Sequence, residues 1–451
     1  MTASGRSALV VTGWIQRLDA PRPAAADPLG WRCFQLGVFL LPASALLAGL
    51  LLLVALIQGS RHRAPWRHDR VNGVLLLIAA LMLLGAAATG LRHQAVPGYA
   101  PSLAWLGLFN WLPFLWAFWA FQPYLAESSA RRRVGLALVA GTVPALVTGL
   151  GQLLLGWHGP WQILGGAVIW HLKQGGNPSG RLSGLFDYAN IAAAWLSLSW
   201  PFVLAAALDL PRTSRPPGIR RLGAWLVVLG IVTAQVVSLY LTDSRNGWGA
   251  LVLAVPLVVG PAGWIWLLPL VALLALPVAL ATLPGIPEAI QSPFRALVPR
   301  QIWGRLNDFN FQGRRADQIT RLSQWRVAVD LIAERPWLGW GAAAFTVIYP
   351  LRTGFWHGHT HNIAFELALA HGLPVALLLV GLVVWLLIRA VRLGMAKAAV
   401  FDRAWFASAL ILASLHATDI PMYDSRINIA GWILLAGLRC WALRPAPPAG
   451  V

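Results

Sequence analysis

A chain of 451 residues is long enough for two or three soluble domains, yet only 11% of it is charged and 58% is hydrophobic. Ordinary soluble domains carry roughly 25% charged residues, so a water-facing fold of this size is excluded and the solvent for most of the chain must be lipid. The formal net charge of +19 does not signal nucleic acid, because the basic residues sit between apolar runs and only Lys173 and Lys397 among the 35 are lysine.

A bilayer crossing takes about 20 largely apolar residues. Candidate spans fall near 34–58, 72–91, 102–125, 134–156, 185–208, 222–241, 246–260, 263–284, 362–391, 404–419 and 427–443. Pro42-Ala43-Ser44 is expected to break the first run into a short hairpin, which makes the number of spans even. Gly260-Pro261-Ala262 reads as a tight turn, and 160–171 is too short to cross, so it is expected to lie in the interface. Residues 1–30 show no compact apolar core with a small-residue cleavage site, so no cleavable signal peptide is expected. Cys33 and Cys440 match no metal or redox spacing.

The arginines mark sides. Arg61, Arg63, Arg67 and Arg70, then Arg131, Arg132 and Arg133, then Arg212, Arg215, Arg220 and Arg221, then Arg389, Arg392, Lys397, Arg403 and Arg444 all fall on one side. Cytoplasmic loops carry such an excess. The one long hydrophilic segment, 285–360, then lies outside. The reading is an all-α polytopic membrane protein: a cytoplasmic tail over 1–33, and a transmembrane domain over 34–443. Its bundle has about 11–12 helices and one large periplasmic loop, 285–360, containing amphipathic helices.

Ionisable groups at or in spans are costly and therefore candidates for function. Thr242-Asp243-Ser244-Arg245-Asn246-Gly247-Trp248 joins two spans on the outer side. Arg245 presents a planar fork suited to phosphate oxygens; the alternative is an arginine that snorkels or pairs with Asp243. In the long loop, Ile319, Leu322, Trp325, Val329 and Ile332 recur at helical spacing, ended by Pro336. Arg314, Arg315, Arg321 and Arg326 lie in or beside this helix, either as ligands or as a solvated basic face.

Trp356-His357-Gly358-His359-Thr360-His361-Asn362 stands where the loop meets a span. Three alternating histidines would share a face if extended, which keeps a metal reading open, but no HExxH pattern accompanies them. A histidine at the mouth of a span otherwise suits proton transfer. Asp187 and Asn190, within Gly180–Asn190, and Arg426, beside Asp424, are weaker candidates at outer span ends; an Asp424–Arg426 structural pair is the simpler account of the latter.

Together these segments resemble the O-antigen ligase and polymerase superfamily. The likeness rests on Ser244-Arg245, on Arg321 to Trp325, on Arg335-Pro336-Trp337-Leu338-Gly339-Trp340-Gly341, and on His361-Asn362 leading to Glu366 and Gly372-Leu373-Pro374, over roughly residues 180–440. Cyanobacterial members are the most similar in style. The sequence departs from the family at His371, where an acidic or polar residue is usual, and at Asp243, where a small one is commoner. The resemblance implies a metal-independent, inverting glycosyltransferase without cofactor in the bacterial inner membrane, with its site facing the periplasm. A glycan on undecaprenyl diphosphate would move to a hydroxyl of a glycan or lipid A-core acceptor, in contact with membrane lipid and without nucleic acid. Arg245, Arg321 and Arg326 would bind the diphosphate. His361, Arg321 and Arg245 would carry catalysis, with His359, Asn362, Asn190, Asp187 and Arg426 in support. An apolar groove between spans would hold the polyprenyl chain. Repeat-unit polymerase and O-linked oligosaccharyltransferase are sibling readings. An anion transporter, bicarbonate included, is the reading from another class; it predicts polar residues near the midplane, whereas these cluster at outer ends. A metal enzyme built on His357, His359 and His361 is a third.

Overall fold

A computed structural model describes residues 22–61, 69–91, 96–213, 219–307 and 320–444. The tail up to residue 21, Arg63, Arg67, Arg215, Arg314, Arg315 and Ile319 lie outside them. The described chain is helical apart from one two-stranded hairpin. Among the described residues seven helical segments are long and apolar enough to cross a membrane, Ser102–Ala120 counted as one despite its interruption, and Ala45–Arg61 and Arg245–Val259 are shorter apolar helices.

Helix α1 (Pro28–Leu40) starts inside the segment expected to be tail. Asp27 caps it, accepting the Gly30 N–H at 2.8 Å, and Pro28 occupies its first turn. The chain turns at 41–44, as Pro42-Ala43-Ser44 led us to expect, and returns as α2 (Ala45–Arg61), packed along α1. Then follow α3 (Arg70–Leu91), α4 (Ser102–Leu106), α5 (Leu112–Ala120) and α6 (Ser128–Leu154). The 102–125 run is not one smooth helix: a 3₁₀ turn at Gly107–Asn110 and a non-helical Trp111 separate α4 from α5. Residues 160–171 form β1 (Trp161–Ile163) and β2 (Val168–Trp170), antiparallel with Trp161 opposite Trp170.

Next come α7 (Ala189–Thr213), α8 (Ile219–Leu241), α9 (Arg245–Val259) and α10 (Trp264–Thr282). In its apolar window α7 is 72% buried and α10 only 6%, so α7 stands at the centre, against α6, α8, α9 and α17, while α10 lines the rim. The long loop holds α11 (Glu288–Leu297), α12 (Arg300–Leu306), α13 (Arg321–Glu334) and α14 (Ala344–Thr353). The expected 362–391 span is two helices, α15 (Ile363–His371) and α16 (Leu373–Arg392), broken at Gly372 with φ +91°. The last two are α17 (Val400–His416) and α18 (Ser425–Ala442).

On the side opposite the long loop, some basic residues do more than mark topology. Arg131 is fully buried and pairs with Asp402 at 2.7 Å while donating to the Leu125 and Ala126 carbonyls. Arg439, also fully buried, meets Asp69 at 2.5 Å. These pairs tie α6 to α17 and α18 to the start of α3.

The loop side has its own joint. The last carbonyls of a helix have no partner within it. In α15 those of Leu369 and Ala370 accept the N–H groups of Trp340 (2.8 Å) and Gly341 (3.0 Å), and the Leu373 N–H donates to the Pro336 carbonyl at 2.7 Å. The motifs at 335–341 and 372–374 are therefore two halves of one backbone contact. It leaves no room for side chains: a Cβ on Gly372 would lie 2.1 Å from the Trp337 carbonyl oxygen, and one on Gly339 2.6 Å from the Ala370 backbone. Gly354 has a similar positive φ but open space around it. Gly354→Ala should therefore cost only about 1–2 kcal/mol of left-handed backbone, and Gly372→Ala should lower the unfolding midpoint in lipid well beyond that. Equal shifts in a thermal scan would refute the joint.

Candidate functional site

The site grows from the segment between α14 and α15. Gly354, at φ +77°, ends α14, and the Thr346 hydroxyl donates to the Gly358 carbonyl at 2.6 Å. Thr360 is fully buried. Its N–H donates to Glu366 Oε2 at 3.0 Å, and its carbonyl accepts the Trp325 indole N–H of α13 at 3.0 Å. His361 then adopts φ +54°, left-handed and uncommon for a histidine. Asn362 caps α15 through the Ala364 and Phe365 N–H groups, and its side-chain amide donates to the Ala417 carbonyl at 3.0 Å.

That turn presents His361 to Asp419, just past the end of α17, with Nδ1 3.0 Å from the carboxylate Oδ1. An ionised carboxylate only accepts, so Nδ1 is the donor. In the neutral ring Nε2 then keeps its lone pair. Burial alone would raise the pKa of Asp419, but hydrogen bonding to His361, the two nearby imidazoles and the Ile420 N–H overcome it, to a pKa of about 2. His359 packs against His361 with ring centroids 4.2 Å apart, and its Nδ1 accepts the His361 backbone N–H at 3.2 Å. Burial first, then the charge on His361, lowers the His359 pKa to about 4; Arg321 adds to the same effect and so stands within electrostatic reach.

The candidates separate. His361, His359, Asn362 and Arg321, the first residue of α13, gather around Asp419 or its neighbours. Arg245 is the exposed first residue of α9, whose cap Ser244 shares a small polar recess with Asn190, Asn246 and Asp419. Asp243 pairs with Arg305 at 3.3 Å. Arg326 is exposed and stands about 140° around α13 from Arg321. Asn190 accepts from Arg181 at 2.7 Å, and Asp187 is exposed. Arg426 donates to Asp424 and, at 2.7 Å, to the Leu185 carbonyl, the structural pairing that its spacing suggested. The metal-capable cluster differs from the histidine trio read in the sequence: His359, His361 and Asp419 bring ligand atoms within 4.8 Å of one another. His357 instead packs on Tyr349, its ring 6.2 Å from that of His361.

Beside the pair lies an apolar cavity of about 280 Å³. Asn362, His416 and Ala417 line it next to the site, and it continues between α16, α17 and α18 past Val384 and Trp432 to Leu387 and Leu435. The sequence placed Asp419 and Tyr423 only in a polar segment, Asp419–Arg426, at an outer span end, and Glu366 only in the motif that follows His361, and it assigned none of them a role. An acidic residue at the end of an apolar run was the signal available for Asp419.

Residues 225–380 match the family model described as O-antigen ligase. The matched stretch, about a third of the chain, is similar to O-antigen ligases. The match takes in Arg245, Arg321, Arg326, His359, His361, Asn362 and Glu366, and stops short of Asp419. No curated protein matches the chain. The match supports an O-antigen ligase- or polymerase-like membrane enzyme in polysaccharide assembly.

The histidine pKa has a consequence for stability. Unfolded histidine titrates near 6.5, so between about pH 6.5 and 4 the unfolded chain takes up a proton that folded His359 does not. Stability should fall as pH drops through that window. Asp419 contributes a constant amount there, because its stabilisation is lost only below about 3.9, toward 2. Replacing His359 by Gln should flatten the decline in thermal midpoint between pH 6.5 and 4; an unchanged slope would contradict the burial argument.

Proposed function

We propose that the protein is a metal-independent glycosyltransferase that moves a glycan from undecaprenyl diphosphate to a hydroxyl acceptor at the periplasmic face of the inner membrane. The observation that carries this is the His361–Asp419 pair at 3.0 Å beside an apolar cavity of about 280 Å³, on the side of the bundle that holds the long loop. Proton-transfer groups thus adjoin a slot suited to an isoprenoid chain. A midplane ion path, as a transporter would need, gains no such support.

In this reading Asp419 fixes the His361 tautomer, and Nε2 accepts the proton of the acceptor hydroxyl. The acceptor oxygen forms a bond to the anomeric carbon as the bond from that carbon to the diphosphate oxygen breaks, with inversion. The electron pair leaves with the diphosphate, and Arg245 and Arg321, each at the first turn of a helix, stabilise the charge that builds there. The carrier arrives activated, so no nucleotide is required. Arg326 plays a lesser part, since it faces away from Arg321.

Purified protein in lipid, given an undecaprenyl-diphosphate oligosaccharide and a core or glycan acceptor, should release undecaprenyl diphosphate in the presence of EDTA. His361→Ala should lower kcat about 10²–10⁴-fold, Arg321→Ala and Arg245→Ala about 10²–10³-fold, and Arg326→Ala much less. Product size would separate ligase from polymerase. Turnover that survives His361→Ala, or that stops on chelation, would overturn the mechanism.

A further inference from the structure

Glu366 sits one turn into α15 and is 4% exposed. Both of its oxygens are engaged: Oε2 accepts the Thr360 N–H at 3.0 Å and Oε1 accepts the Tyr423 hydroxyl at 2.9 Å. These two donors belong to different arms of the site. Thr360 immediately precedes His361, whose left-handed backbone is unfavourable unless its surroundings hold it. Tyr423 lies in the same short connection as Asp419, between α17 and α18. One buried carboxylate therefore braces both the segment that presents the imidazole and the segment that presents its partner. Tyr423 also faces His359, ring centroids 5.8 Å apart, so the brace closes on the cluster it supports.

We propose that Glu366, through Thr360 and Tyr423, is the positioning residue that holds His361 and Asp419 in register. Its role is to accept two hydrogen bonds, not to exchange a proton with substrate, and this proposal rests on the transferase reading above. Gln at 366 keeps the brace in altered form: its carbonyl accepts from Thr360 and its amide donates to the Tyr423 oxygen. Alanine removes both contacts. Tyr423→Phe removes one, on the Asp419 arm.

The test uses the full chain in lipid nanodiscs, with wild type, Glu366→Gln, Glu366→Ala and Tyr423→Phe. Two experiments are run: steady-state kinetics, giving kcat and KM for an undecaprenyl-diphosphate disaccharide, and backbone hydrogen exchange over 356–362 and 418–424. Glu366→Ala should lower kcat about 10- to 100-fold, the scale of a reacting group displaced by about 1 Å, with KM within about twofold. Glu366→Gln should recover most of that loss. Exchange should quicken in both segments in Glu366→Ala, and chiefly in 418–424 in Tyr423→Phe. Wild-type kcat in Glu366→Ala would overturn the proposal, and so would a Gln variant as inactive as the Ala one, which would make the carboxylate itself chemical. If Glu366→Ala fails to fold, the Gln and Phe variants carry the same comparison. If the wild type transfers nothing, the transferase reading fails by itself. Hydrogen exchange still decides the brace, and unchanged exchange in both segments would overturn it.

Discussion

The peptide on either side of Thr360 is buried where the long loop meets the bundle, and a buried peptide must place both its N–H and its carbonyl. The N–H goes to Glu366 on α15 and the carbonyl to Trp325 on α13. That choice fixes the relative position of two helices, one beginning at Arg321 and the other capped by Asn362. It also sets the direction in which the chain leaves Thr360, and His361 takes the left-handed conformation that follows. The imidazole reaches Asp419 because of this backbone route. The outward face of α13 can vary without disturbing it, whereas the inward contacts cannot.

Charge has three separate uses in this chain. Some arginines, by the sequence reading, would mark a side of the membrane. Arg131 and Arg439 are buried among helix ends, where removing a partner from such a pair typically costs 3–5 kcal/mol, so they act as fasteners. Arg181, Arg245, Arg305 and Arg321 gather toward the loop side; burial, followed by the charge of Arg305, holds the Arg181 pKa down. A net charge of +19 thus combines buried fasteners with a concentration of arginines toward the candidate site on the opposite face.

Much of the architecture was legible from composition and periodicity. The helical class, the break at Pro42, the turn at Gly260 and the helix ending before Pro336 all follow from local rules, although Leu322 and Val329 of its expected apolar face are exposed. What escaped was non-local. Residues 335–341 and 372–374 read as two motifs, but only the fold shows that one caps the other. His361 and Asp419 are far apart in sequence, and nothing in either neighbourhood names the partner. The alternating histidines suggested a shared face on the assumption of extended chain; His359 and His361 do come together, whereas His357 packs on Tyr349. Arg326 was grouped with Arg321 because both are basic and near, although five residues on a helix turn a side chain well away.

The central claim is that the reacting end of a polyprenyl-diphosphate glycan sits between the arginines and the His361–Asp419 pair, with its chain in the adjoining cavity. The most direct measurement is an electron cryo-microscopy structure of the protein in nanodiscs with an undecaprenyl-diphosphate-linked disaccharide bound to a slow variant, His361→Ala. The account predicts diphosphate density against Arg321 and Arg245 and isoprenoid density running between α16, α17 and α18 past Trp432. A diphosphate bound elsewhere on the bundle, or a chain lying outside that cavity, would contradict it.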